Sequence, residues 1–210
     1  MANRAEMIRG VAELLKRTEI SVQCQDRVLA TSGVRANAAR GRGGPPVSSA
    51  AITQLVTALL SNRTFSGGAE FARTWGDLIL VDCSVERGDL RVIEPTGTGA
   101  PRRFGVEFAA LIETAPDLPE LLDMEVRISC TRPDAVIRVE EMGEVRTLTF
   151  RRGPYPEPDP AYEEFATLPA GALSRLVAIR HGAFEMPFRR VPDPESGTDL
   201  VGPEGFEPPT

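Results

Sequence analysis

Apolar residues recur at intervals of three and four along several stretches of the chain, a spacing that predicts amphipathic helices. Residues 4–17 form the first stretch, and Asn3 with Glu6 has the spacing of a capping box at its start. A second helix is predicted over residues 48–62, beginning at a serine that can cap it. Two further helices are predicted, at residues 103–114 and 170–181.

Strict alternation of apolar and polar residues predicts strands elsewhere. Residues 19–24 and 28–31 alternate on either side of a short polar turn, which predicts a β-hairpin. Residues 77–85 and 89–93 predict another hairpin, since Gly88 supplies the left-handed conformation that a tight turn needs. Three further strands are predicted, at residues 125–130, 136–140 and 145–150, the last two joined at Met142-Gly143.

This mixture of elements predicts an α+β fold in which antiparallel hairpins pack with three or four helices. A change of composition at residues 116–119 suggests a domain boundary there. We expect an α+β domain at 1–115, a smaller α+β domain at 120–188 and a disordered tail at 189–210. Residues 19–24 and 125–130 share the pattern Glu-apolar-x-apolar-x-Cys, so two similar halves are a further possibility.

The end of the chain has an unusual composition. Residues 201–210 resemble the antisense translation of the 3′ end of a transfer-RNA gene, whose T-arm reads as Gly-Phe-Glu-Pro. The segment is rich in proline and glycine and has little to bury, so we expect disorder whatever its origin. Arginine greatly outnumbers lysine in the whole chain, which indicates a bacterial genome rich in G and C.

Two scarcities restrict the available chemistry, because Lys16 is the one lysine and His181 the one histidine among the 210 residues. Lys16 follows no glycine-rich run, which argues against P-loop ATPase, protein kinase and pyridoxal-phosphate chemistry. His181 precedes Gly182 at a predicted helix end, where a cation has a structural role. Histidine-based catalysis and a histidine metal site are therefore not predicted, and no cofactor is expected.

Charge and hydropathy limit the partners and the compartment. The net charge of −6 opposes binding to nucleic acid or to an anionic membrane. The longest apolar run, residues 78–81, is too short to cross a bilayer, so a cytoplasmic location is expected. The three cysteines, Cys24, Cys83 and Cys130, lack metal-site or disulfide spacing and are interpreted as small buried residues.

One loop and one strand carry candidate functional residues. The loop combines arginines with glycines, and guanidinium groups and exposed backbone N–H groups can together bind an anion. The residues of this candidate anion site are Arg35, Arg40, Arg42, Gly43 and Gly44. Asp82 shares a predicted strand face with Leu78 and Leu80, so an inward carboxylate and an ordinary exposed one are both open.

Residues 19–93 resemble, in their order of elements, the N-terminal domain of type IV pilus and type II secretion motor ATPases. The shared features are an extended pair, a helix led by Pro46-Val-Ser-Ser, a phenylalanine-containing segment and a hairpin ending at Ile93. The motor domain of that family, with its Walker A motif and histidine box, has no counterpart in this chain. The resemblance implies an interaction module of a secretion or motility system.

These observations favour a non-catalytic bacterial adaptor or regulatory protein that acts through protein–protein contacts. One alternative is an anion-binding or nucleotide-binding module centred on the Arg35–Gly44 loop. Another is an enzyme that uses carboxylates and arginines.

Overall fold

The computed structural model describes residues 2–35, 46–87, 90–94, 100–114, 124–141, 144–152, 164–168 and 171–181. Six helices lie within these ranges: α1 (Arg4–Leu14), α2 (Glu19–Thr31), α3 (Ser49–Leu60), α4 (Phe65–Gly76), α5 (Phe104–Thr114) and α6 (Ala172–His181). Six strands accompany them: β1 (Ile79–Arg87), β2 (Leu90–Glu94), β3 (Met124–Ser129), β4 (Asp134–Glu141), β5 (Glu144–Arg151) and β6 (Phe165–Thr167). The fold is α+β, as the sequence predicts.

The helices begin where the sequence places caps. Asn3 accepts a hydrogen bond from the Glu6 N–H at 3.0 Å, and Glu6 accepts one in return from the Asn3 N–H at 2.8 Å, which completes the predicted capping box. Helix α1 ends at Leu14 rather than at residue 17, because Lys16 adopts a left-handed φ of 51°. The hydroxyl of Ser48 caps α3 through the Ala51 N–H at 3.2 Å.

The hairpin predicted for residues 19–31 is wrong, because this segment is helix α2. Ile20, which the hairpin prediction places in a strand, is 74% exposed. The buried face consists of Val22, Gln25, Asp26 and Leu29, which have helical spacing. Because two of these four residues are polar, the apolar residues alone do not show a helical spacing. Residues 19–24 and 125–130 share a sequence pattern but differ in structure, since the first segment is helical and the second is extended.

Helix α4 has no counterpart among the predicted elements. Its sequence contains three glycines, which have low helix propensity. Gly68 nevertheless has a packing role, since a Cβ atom there would lie 2.9 Å from Gln25 Oε1 and 3.1 Å from the Ala58 carbonyl oxygen. The absence of a side chain therefore lets α4 approach α2 and α3 closely. With α2 and α4 the described residues contain six helices rather than three or four.

A single antiparallel sheet takes strands from both sides of residues 116–119, in the order β2-β1-β5-β4-β3-β6. Strand β1 pairs with β5 from Ile79↔Arg151 to Arg87↔Glu144. Helix α6 packs against α1, and the Arg180 carbonyl accepts the Ala2 N–H at 3.3 Å. The proposed division into 1–115 and 120–188 therefore runs through one sheet and one hydrophobic core. The segments 115–123 and 182–210, with the predicted boundary and tail, lie outside the described residues.

One face of the sheet packs against the helices and the other is polar. Phe150 on the inner face contacts Phe104 of α5, with ring centroids 5.6 Å apart. A β-bulge between Leu80 and Asp82 shifts the alternation of β1, so that Asp82 stands opposite Thr149. Paired residues point to the same face, so Asp82 lies on the polar face. The expectation that it shares a face with Leu80 is wrong for this reason.

We predict that Gly105→Ala lowers the free energy of unfolding by about 1–2 kcal/mol, because a Cβ atom there would meet the Gly76 backbone at 3.1 Å. Gly76→Ala is the matched control, since a Cβ atom at Gly76 would enter open space. Urea denaturation of the two variants measures the difference. Equal effects of the two substitutions would contradict the close packing of α4 on α5.

Candidate functional site

A cavity of about 520 Å³ lies among α3, α4, α5 and the turn that follows α2. Much of its wall consists of glycine and alanine, which leave the volume unfilled: Gly33, Ala50, Ala72, Gly76, Gly105 and Ala109. None of the helices in the described part of the chain has the length and apolar character that a membrane crossing requires. Charged and polar residues also converge on the cavity.

Two threonines of α3, one helical turn apart, lie next to the cavity. Thr53 is 3% exposed and Thr57 is 1% exposed. Both hydroxyl oxygens are buried, and neither has a hydrogen-bond partner among the described residues. A buried hydroxyl without a partner costs about 1–3 kcal/mol of stability.

Three charged side chains also line the cavity: Arg73, Asp77 and Arg103. Arg73 is positioned by its Nη2 atom, which donates to the Ser32 carbonyl at 2.9 Å. Arg103 Nη1 donates to Asp77 Oδ1, and both side chains of this ion pair are at least half exposed. The two arginines outweigh the single aspartate, so the described lining has a net positive charge.

The predicted anion-site residue Arg35 pairs with a carboxylate inside the protein. Arg35 Nε lies 2.8 Å from Asp26 Oδ1, and the Arg35 side chain is only 9% exposed. Arg4 of α1 contacts the other oxygen of Asp26, which is fully buried. Asp26 therefore fixes the start of the arginine-glycine loop against α1 and α2. The other predicted members, Arg40, Arg42, Gly43 and Gly44, lie outside the described residues.

The structure connects this loop to the cavity through its flanking residues. Val34, next to Arg35, lines the cavity, and so does Ala50, which follows the loop in the chain. The described residues on either side of the loop therefore lie at the cavity wall. Neither Arg35 nor Asp82, the candidates within the described residues, lines the cavity, and sequence analysis did not single out Arg73 or the Arg103–Asp77 pair. No local pattern marks that pair, because its members are 26 positions apart.

A second polar cluster joins three helices beside the cavity. Ser49 of α3 donates to Glu113 of α5, and Arg180 of α6 donates to Glu113 Oε1 at 3.2 Å and to Oε2 at 3.3 Å. The Ser49 hydroxyl and the Arg180 guanidinium together hold the pKa of the Glu113 carboxyl below its ordinary value. Arg180 is buried and Glu113 is half exposed. We call this group of Ser49, Glu113 and Arg180 the Glu113 clamp, and it links α6 to α3 and α5.

The lone histidine lies at a helix end as predicted, whereas only one of the three cysteines is buried. His181 is the last residue of α6 and is exposed. Cys83 is buried, whereas Cys24 and Cys130 are half-buried, and all three are free thiols. Within the described ranges, no group of three or more His, Cys, Asp or Glu side chains is arranged to hold a metal ion.

Comparison with family models, with curated proteins and with solved structures finds no match for this chain. The resemblance to secretion-motor N-terminal domains therefore stays a prediction. One of its elements is not present, because the expected extended pair is helix α2.

We predict that Asp26→Asn lowers the free energy of unfolding by about 3–5 kcal/mol, because it leaves the buried Arg35 without its carboxylate. Glu19→Gln is the control, since Glu19 and Arg9 are 3.9 Å apart and both are well exposed. The control should change stability by about 0–1 kcal/mol. Chemical denaturation at neutral pH measures both variants, and a similar small loss in each would refute the proposed role of Asp26.

The Glu113 clamp predicts a pH-dependent stability. A carboxyl whose pKa is lowered in the folded state stabilises the protein above its unfolded pKa and loses that effect as the pH falls through the folded pKa. Glu113→Gln should therefore destabilise the protein at pH 7 and approach wild-type stability as the pH falls through the folded pKa of Glu113, because the protonated carboxyl and the amide are then both neutral. Denaturation curves across this range provide the measurement. A stability difference that is constant with pH would argue against the clamp.

Proposed function

We propose that this chain is a non-catalytic regulatory module that binds a small polar ligand in the cavity between α3, α4 and α5. The observation that carries the proposal is the cavity itself, whose small wall residues leave an unfilled volume beside Arg73, Arg103 and Asp77. Ligand pockets for small molecules have volumes of about 300–1,000 Å³. The cavity volume of about 520 Å³ falls in that range.

The charged groups of the cavity suit recognition better than proton transfer. Arginine stays protonated at physiological pH, so Arg73 and Arg103 act as fixed cations and hydrogen-bond donors. Asp77 already accepts a hydrogen bond from Arg103. These groups can orient a ligand and select it by charge, which supports binding as the activity.

The regulatory function follows the leading prediction from the sequence, and the cavity adds a ligand to it. A protein partner stays a prediction. Anion binding by Arg40 and Arg42 also stays a prediction, and it is compatible with the cavity because Val34 and Ala50 line the wall on either side of that loop. Arg35 is engaged with Asp26, so we do not include it among the ligand-binding residues.

A ligand screen with a cavity-filled variant tests the proposal. Nuclear magnetic resonance titration of small polar compounds should give saturable shifts at amides of α3, α4 and α5. Gly76→Leu should weaken binding about tenfold or more, because a side chain at Gly76 enters open space at the cavity wall. Folding should be retained, as judged by the melting temperature.

Glu70→Leu is the matched control, because it adds the same side chain at an exposed position of α4 that does not line the cavity. Binding should be unchanged in this variant. If no compound binds, or if Gly76→Leu and Glu70→Leu bind equally well, the cavity is not a ligand site.

A further inference from the structure

We draw no further inference here: the strongest candidate, the surface patch at the rim of the cavity where the exposed Arg103–Asp77 ion pair lies between α4 and α5, belongs to the site already described, and nothing among the described residues shows what would cover it.

Discussion

The arrangement of the helix layer depends on a polar seam along the buried face of α3. Four hydroxyl side chains recur at intervals of four residues and all are buried: Ser49, Thr53, Thr57 and Ser61. Helix α3 packs against α2, α4, α5 and α6, so the seam lies within the helix layer. Buried hydroxyls need hydrogen-bond partners, and this requirement limits what can pack against each of them.

The two ends of the seam are satisfied within the protein and its middle is not. Ser49 donates to Glu113, and Ser61 donates to the Ala58 carbonyl at 2.6 Å. Thr53 and Thr57 lie next to the cavity and have no partner among the described residues. Gly76 of α4 and Gly105 of α5 approach each other closely and also line the cavity. The cavity is therefore a consequence of the packing of three helices through small residues.

Local sequence patterns predicted elements in which apolar residues recur at a regular spacing. The hairpin of β1 and β2, strands β3 to β5, and helices α1, α3, α5 and α6 have this spacing. Helix α2 does not, because Gln25 and Asp26 are buried on it with partners that are distant in the chain. Gln25 donates to the Phe65 carbonyl, 40 residues away, and Asp26 pairs with residues in α1 and after α2. The spacing of neighbouring residues cannot predict contacts between residues so far apart in the chain.

The candidate site is less predictable for the same reason, since its charged pair joins residues 26 positions apart. Burial then decides which arginines can serve a ligand. Arg35 is held by a fully buried carboxylate, and breaking that pair would remove a partner from two buried charges. Arg103 is held by an exposed carboxylate, and water can solvate both of these charges. The sequence includes Arg35 among the candidates because it belongs to a loop that combines arginines with glycines, whereas its burial against Asp26 shows that it is already engaged.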